Sequence, residues 1–198
     1  SLAACGSGDG AAASATPAAT SSAPVDTTPT GPTSRLYVRL ADNEVTTWLD
    51  TVEAKDGDIV EFRVVYENWS DQDHCNVWLQ MALPEGLEYV PGSAYLRNWY
   101  HAEEPSVLAD DIVGPGVSIE SYGGITPETP EGKPGSNAFV TFRTVAHNTG
   151  TEPINVLAFS YVTSYPEGQT GEPIASGLYL TINPNTDPQP SAIAGTVE

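Results

Sequence analysis

The sequence predicts an all-β protein, a β-sandwich of seven to nine short strands between disordered N-terminal and C-terminal tails. The first observation behind this prediction is the hydrophobic period, since apolar and polar residues alternate along much of residues 35–183. The second is the turn-forming stretches, such as KDGD, PEG and NTGTEP, that separate the alternating runs. No stretch of ten or more residues has a convincing helical pattern.

The predicted strands follow in chain order. RLYVRL (35–40) alternates, and VTTWLDTV (45–52) is rich in β-branched residues, which favour strands. Within IVEFRVVYE (59–67), we expect a core face of Val60, Phe62, Val64 and Tyr66 and an opposite face of Glu61, Arg63 and Glu67. The remaining predicted strands are NVWLQMALP (76–84), NAFVTFRTVAH (137–147), INVLAFSYVTS (154–164) and GLYLTIN (177–183).

The two ends of the chain differ from the middle in composition. Residues 6–34 contain two charged residues and no aromatic residue, so they cannot bury enough apolar surface to offset the entropy of ordering. We therefore predict that residues 1–34 form a disordered spacer rich in Pro, Thr, Ser and Ala. Residues 184–198 are predicted to be a disordered Pro-rich tail, which leaves one globular domain over 35–183.

The charge balance excludes one class of partner. The chain has 7 basic and 26 acidic residues, a formal net charge of −19. So few cations cannot neutralise a phosphate backbone, which excludes nucleic acid as a partner, and they disfavour electrostatic docking on an anionic membrane. No stretch reaches the roughly 18 consecutive apolar residues of a transmembrane helix.

A series of turn motifs carries a family resemblance. The stretches AKDGDIVEFRVVYEN and NVWLQMALPEGLEYVPGSAYL contain, in order, Gly57-Asp58, Asn68, Leu83-Pro84, Gly86-Leu87 and Pro91-Gly92-Ser93. In this order the motifs resemble the conserved-repeat domain of prokaryotic surface proteins, over roughly residues 36–183. The resemblance implies an immunoglobulin-like fold and a spacer, stalk or adhesive role outside the cell, and it implies no catalytic residues. The family often occurs as tandem repeats, whereas this chain has one copy.

The N-terminal residues resemble a second motif. Leu2-Ala3-Ala4-Cys5 is similar to a bacterial lipobox, and Gly6 begins a flexible stretch after it. This resemblance implies lipidation of Cys5, attachment to the membrane through that lipid, and a position on the cell envelope surface or outside the cell. The alternatives are an unmodified cysteine in a disordered leader, or a disulfide with Cys75 that would compete with lipidation.

The triplet Asp73-His74-Cys75 invites a catalytic or metal-binding interpretation. On a strand, His74 and Cys75 would point to opposite faces, and Cys75 shares its parity with Val77, which predicts a buried structural cysteine. The three histidines lie in separate segments, so we predict no zinc site and no other cofactor. Structural calcium at the acidic turns stays open as an alternative.

Aromatic residues form the remaining candidate site. We consider Trp69, Trp78, Trp99 and Tyr100 as ligand-binding residues, because exposed aromatic rings stack on sugars or anchor protein partners. Packing beneath loops is the other interpretation of these residues. The sequence therefore predicts a non-enzymatic, lipid-anchored structural or adhesive module with a surface protein or a glycan as its partner. The alternative is a carbohydrate- or ligand-binding sandwich that uses the Trp/Tyr residues. An extracellular hydrolase is disfavoured because no nucleophile motif is present.

Overall fold

The computed structural model describes residues 28–42, 47–119, 124–162 and 172–187. The predicted lipidation site Cys5, most of the predicted spacer and most of the predicted C-terminal tail lie outside the described residues. The described strands, in chain order, are β1 (Thr33–Leu40), β2 (Glu53–Lys55), β3 (Ile59–Glu67), β4 (Val77–Ala82), β5 (Leu87–Tyr89), β6 (Tyr95–Arg97), β7 (Ser106–Val107), β8 (Val117–Ser118), β9 (Asn137–Ala146), β10 (Ile154–Val162) and β11 (Ile174–Asn183). Two short 3-10 helices cover Trp99–His101 and Asp110–Val113.

The strands form two sheets. The first sheet has the order β1-β3-β9-β6-β7, and β5 also pairs with β9. The second sheet has the order β2-β11-β10-β4-β8. Every described pairing of strands is antiparallel except that of β2 with β11.

This topology is that of an immunoglobulin-like sandwich, as the family resemblance implied. In that fold, strands A, B, E and D form one sheet and strands G, F and C form the other. The strands β1, β3, β9 and β6 occupy the first set of positions, and β11, β10 and β4 occupy the second. The described residues contain eleven strands rather than seven to nine, because five of them are two or three residues long. Pairings this short leave no periodic signal in a sequence.

The core lies between the inner faces of the two sheets. As predicted, Val60, Phe62, Val64 and Tyr66 of β3 are buried. Phe62 stacks on Phe142 of β9 with ring centroids 5.3 Å apart. Each large apolar side chain buried in this way contributes about 1.5–3 kcal/mol to folding. The second sheet supplies the opposing wall of the core, with Val77, Leu79, Val156, Leu180 and Ile182 among its buried residues.

The predicted strand over 45–52 is wrong for the part that the structure describes. Strand pairing of residues 47–52 is limited to an isolated bridge between Leu49 and Val38 of β1, and the next strand begins at Glu53. The segment leaves the edge of the first sheet at Leu49 and joins β11 of the second sheet as β2. This β-branched segment thus crosses from one sheet to the other. Its strand pairing is interrupted between the bridge to β1 and the pairing with β11.

The predicted burial of Cys75 as a core thiol is also wrong. Asn76 adopts a left-handed conformation, with φ of 52°, and this extra residue interrupts the alternation that precedes β4. His74 and Val77 are therefore both fully buried, whereas Cys75 between them is half-buried. Cys75 is disulfide-bonded. The only other cysteine of the chain is Cys5, outside the described residues.

The segment before β4 is held by a close backbone approach at Gly124. Its φ is +87°, and a Cβ added there would lie 2.6 Å from the carbonyl oxygen of His74 and 3.1 Å from Sγ of Cys75. We expect Gly124→Ala to lower the free energy of unfolding by about 3 kcal/mol, because backbone strain and a steric clash coincide. Chemical denaturation followed by circular dichroism measures this change.

The matched control for this prediction is Gly132→Ala. Gly132 has a similar φ of +81° but nothing within 4 Å of its added Cβ. Only the cost of the left-handed backbone applies there, about 1–2 kcal/mol. Equal losses in the two variants would contradict the steric role assigned to Gly124.

Candidate functional site: an arginine-rich sheet face

All five arginines of the chain lie in strands of the first sheet, at positions that face away from the core. They are Arg35 and Arg39 on β1, Arg63 on β3, Arg97 on β6 and Arg143 on β9. Each occupies the outward parity of its strand, since its neighbours along the strand are buried or point to the core. We call this outward surface of β1, β3, β9 and β6 the arginine face.

The strand register arranges the arginine face in rows. Arg39 lies opposite Glu61, which in turn lies opposite Arg143. In the next row, Arg63 lies opposite Thr141, which faces Tyr95 on β6. A further row pairs Phe139 with Arg97. Residues distant in sequence thus come together because three strand pairings bring their outward side chains into line.

Glu61 joins two of the arginines. Its Oε1 accepts hydrogen bonds from Nη2 of Arg39 at 2.6 Å and from Nε at 3.1 Å, and its Oε2 accepts one from Nε of Arg143 at 3.0 Å. The Glu61 side chain is 8% exposed, whereas that of Arg143 is 54% exposed. One buried carboxylate therefore holds two like-charged guanidinium groups together, with charge-assisted hydrogen bonds on both of its oxygens.

Aromatic rings position the guanidinium groups of the other part of the face. Arg39 lies over the ring of Trp48, 4.3 Å from its centroid, and Arg63 lies 4.4 Å from the centroid of Phe139. Arg63 also lies 5.5 Å from the Trp48 ring. Stacking of this kind stabilises a cation by about 0.5–2 kcal/mol and limits its motion.

Among these guanidinium groups, that of Arg63 has a buried hydrogen-bond donor without an acceptor. Its Nε is buried and makes no hydrogen bond within the part of the chain that the structure describes. Burial, and then the charge of neighbouring Arg39, lower the pKa of the Arg63 guanidinium from its ordinary value. A buried N–H donor without an acceptor is unfavourable, and an anion in the groove that Arg63 lines would supply a compensating charge close to it.

Two adjoining grooves cross the arginine face. One has a volume of about 420 Å³ and the other of about 460 Å³, and they share four lining residues. The shared residues are Arg39, Glu61, Tyr95 and Thr141. Together the grooves are lined by four arginines and one carboxylate, so this surface is cationic in a chain whose net charge is −19.

Trp69, Trp78 and Trp99, which were predicted as part of a binding patch, do not line these grooves. Trp69 follows β3, is half-buried, and donates a hydrogen bond from Nε1 to Glu67 at 3.2 Å. Trp78 lies on β4 of the second sheet and is 39% exposed, as its parity predicts. Trp99 begins the 3-10 helix after β6 and is 60% exposed, and the side chain of Tyr100 lies outside the described part of the structure. Trp69 and Trp99 follow strands of the first sheet and Trp78 belongs to the second, so these tryptophans do not share one sheet face.

The arginine face was not predicted as a site, although part of its signal is present in the sequence. Arg63 and Glu61 were assigned to the outward face of β3, and the same parity rule applied to the other strands would have placed the remaining arginines outward. Nothing in the sequence pattern around Trp48 indicates that its ring covers Arg39. Parity shows which way a side chain points, but it does not give the register between strands. The register decides which residues of the arginine face lie next to each other.

Of the Asp73-His74-Cys75 triplet, His74 belongs to a buried polar network, whereas Asp73 is exposed. Nδ1 of His74 is 2.7 Å from the Tyr66 hydroxyl, and Nε2 is 2.8 Å from the Ser70 hydroxyl. Ser70 also donates to Oδ1 of Asn68 at 2.6 Å. His74, Tyr66 and Asn68 are fully buried, so this serine–histidine pair has no access for a substrate. Its hydrogen bonds hold the connection from β3 to β4 against the core.

Two of the acidic turns considered for calcium serve as hydrogen-bond acceptors. Asp58 accepts from the backbone N–H of Lys55 at 2.7 Å, and Asp110 accepts from the Tyr89 hydroxyl at 2.9 Å and from the Gly92 N–H at 2.8 Å. The residues that the structure describes contain no group of three or more His, Cys, Asp or Glu side chains arranged to hold a metal ion. No helix among them is long and apolar enough to cross a membrane.

Comparisons with known proteins give similarities to solved structures alone, since no family model and no curated protein matches the chain. The N-terminal domain of the Streptococcus gordonii adhesin Sgo0707 is 14% identical with a TM-score of 0.45, and the match covers 75% of this chain and 32% of that one. The T6 backbone pilin of serotype M6 Streptococcus pyogenes is 10% identical with a TM-score of 0.45, over 77% of this chain and 36% of the pilin. This chain thus spans about a third of the length of each. AvmM, which catalyses macrocyclization in alchivemycin A biosynthesis, is 13% identical with a TM-score of 0.28, over 82% of this chain and 92% of AvmM.

Burial of His74 makes the stability of the domain depend on pH. Desolvation lowers the pKa of His74 from 6.5 to about 4, so the folded protein keeps this ring neutral where the unfolded chain would protonate it. Stability is therefore fully present above pH 6.5 and is lost as the pH falls towards 4. We expect His74 to cost about 2 kcal/mol between pH 7 and pH 5.

Denaturation at several pH values checks this expectation in the wild type and in His74→Gln. The variant should lose most of the pH-dependent difference, whatever its stability at pH 7. His147→Gln, which removes a half-exposed histidine, is the matched control and should keep the wild-type dependence. An unchanged pH dependence in His74→Gln would contradict the role given to His74.

Proposed function

We propose that this chain is a non-enzymatic module of the bacterial cell surface that acts by display and contact, and that the arginine face is its contact surface. The observation that carries this proposal is the placement of all five arginines on one face of a strongly acidic chain. At physiological salt, charges interact over about 8 Å, so a ligand in the grooves responds to the local arginines more than to the distant acidic surface. Arginine and tryptophan are also the residue types that contribute most to binding at protein contacts.

A position outside the cytoplasm is supported by two features. Cys75 is disulfide-bonded, and disulfides persist in oxidising compartments rather than in the cytosol of most organisms. The turn motifs that resemble the conserved-repeat domain of prokaryotic surface proteins support the same location. A structural or adhesive role agrees with both, since a sandwich presents rigid surfaces without requiring catalytic groups.

We further propose that a lipid on Cys5 anchors the domain and that the segment before β1 acts as a flexible stalk. The disulfide of Cys75 limits this arrangement. Because the chain has two cysteines, Cys5 can carry a lipid thioether or pair with Cys75 of its own chain, but it cannot do both. In a lipid-anchored form, Cys75 therefore carries a free thiol or pairs with a thiol from another molecule.

A second candidate function is carbohydrate or ligand binding through the predicted aromatic residues. The observation that favours it is the exposure of Trp99 and Trp78, at 60% and 39%. Exposed indole rings can stack on sugar rings. The separation of these residues between the two sheets means that each would act as an individual anchor.

Lipid anchoring is tested by expression with the native leader, followed by partition between detergent and aqueous phases. We expect wild-type protein in the detergent phase and Cys5→Ser in the aqueous phase, because acyl chains supply the membrane affinity. Antibody labelling of intact cells measures surface display in the same samples. Wild-type protein that stays aqueous, with no titratable thiol, would contradict the anchor and indicate that Cys5 is in a disulfide.

The contact surface is tested by adhesion of domain-coated beads to cell envelopes of the producing bacterium. We expect the Arg97→Gln/Arg143→Gln variant to reduce bead retention by about tenfold or more, because many weak contacts act together on each bead. Lys55→Gln/Lys133→Gln removes the same charge away from the face and should retain beads as the wild type does. Retention that survives the arginine changes and is lost in Trp78→Ala/Trp99→Ala would favour the aromatic candidate instead.

A further inference from the structure

At the centre of the arginine face, on β3 and β9, the recognition groups are side chains alone. The strands β3 and β9 each pair with neighbours on both sides, so their backbone N–H and C=O groups are used within the sheet. An extended peptide that binds by adding a strand needs an open sheet edge, which the two central strands beneath the grooves do not offer. A ligand here must bring its own polar groups to the arginines.

Two of the four arginines that line the grooves lack a carboxylate partner. Within the described residues, neither Arg63 nor Arg97 forms an ion pair with a carboxylate, whereas Arg39 and Arg143 both bind Glu61. Arg63 and Arg97 flank Phe139, which Arg97 faces across the β6–β9 pairing and on which Arg63 stacks. The buried Nε–H of Arg63 has no acceptor. Guanidinium groups bind planar carboxylates with paired hydrogen bonds, and the two guanidinium groups of this groove that lack a carboxylate partner favour such a ligand, although Nη1 of Arg97 already donates to the carbonyl oxygen of Ala102 at 2.7 Å.

The walls of the grooves offer aromatic rings as a second kind of contact for a ligand. Trp48 and Tyr95 line the groove beside the arginines, and Tyr95 is 41% exposed. Aromatic rings of this kind pack against the C–H faces of sugar rings while hydroxyl groups bond to nearby polar side chains such as Thr141. A groove of about 420 Å³ fits a small ligand rather than a folded partner.

The charge of the whole chain limits the length of the ligand. A long polyanion would extend beyond the arginines onto a surface that makes the net charge −19. Repulsion there would offset the attraction at the face. A short ligand with a few negative charges experiences the arginines without this penalty.

We propose that the arginine face binds an acidic sugar, a carboxylate-bearing unit such as a uronate within a short oligosaccharide. Arg63 and Arg97 bind the carboxylate, and Trp48 and Tyr95 contact the ring. This proposal rests on the proposed function, because it names the ligand of the same contact surface. It places the sugar at the arginine face and not at the separately predicted Trp69, Trp78 and Trp99.

The test is isothermal titration of the full chain with galacturonate trimer in buffer at physiological salt. We expect saturable binding that weakens about tenfold in Arg97→Gln, since one charge-assisted contact is lost. Lys133→Gln removes the same charge from a turn and should leave the affinity unchanged. The neutral galactose trimer with the same linkages should not bind. Circular dichroism confirms that each variant is folded.

A spectroscopic readout locates the site independently of affinity. Galacturonate trimer should change the tryptophan fluorescence of the wild type, because Trp48 lines the groove. Trp48→Phe should lose this change, whereas Trp99→Ala should keep it. A signal lost only in Trp99→Ala would overturn the placement of the sugar at the arginine face.

Two further outcomes would overturn the proposal. No heat of binding from galacturonate trimer would reject the acidic-sugar ligand, while the bead adhesion experiment would still decide the contact surface by itself. Equal affinity for a glutamate tripeptide would show that the face responds to any carboxylate, which also rejects a sugar-specific site. Neither result depends on lipidation. Failure of the sugar proposal can therefore be distinguished from failure of the proposed surface role.

Discussion

The pairing of β3 with β9 is the interaction on which the rest of the first sheet depends. Its register brings Phe62 against Phe142 on the inner face and Glu61 against Arg143 on the outer face. Because side chains alternate with a period of two, a slip of one residue would send the charged set into the core and the aromatic set into water. The hydrophobic core and the arginine face are therefore two consequences of one register.

On the outer face, some arginines are paired with a carboxylate and others are not. Glu61 uses both of its oxygens on Arg39 and Arg143, which offsets the repulsion between these like charges and the cost of burying the carboxylate. Stacking on Phe139 and Trp48 holds Arg63 in place without satisfying its Nε–H. The structure thus keeps one guanidinium positioned beside the groove without a carboxylate partner, and an anionic ligand in the groove would compensate its charge.

The connection between β3 and β4 shows how a polar sequence can be held in the interior. Asn68, Ser70 and His74 are buried, and their side-chain hydrogen bonds replace those that a regular strand would make. The left-handed Asn76 then resets the alternation so that β4 can present Val77 to the core. Residues that look like a catalytic or metal-binding motif in the sequence therefore close a loop between the two sheets.

The sequence by itself determined the all-β class, the positions of the long strands and the inward face of β3, because burial on one side of a strand leaves a period of two in the residue order. It also indicated that Trp78 lies outward on its strand. It did not determine the short edge strands, the crossing between sheets at Leu49 or the displacement of Cys75 from the core, since these depend on which partner a segment meets. The arginine face was decided by tertiary structure for the same reason: Arg39, Arg63, Arg97 and Arg143 are spread over more than half of the chain, and only the register of four strands brings them onto one surface.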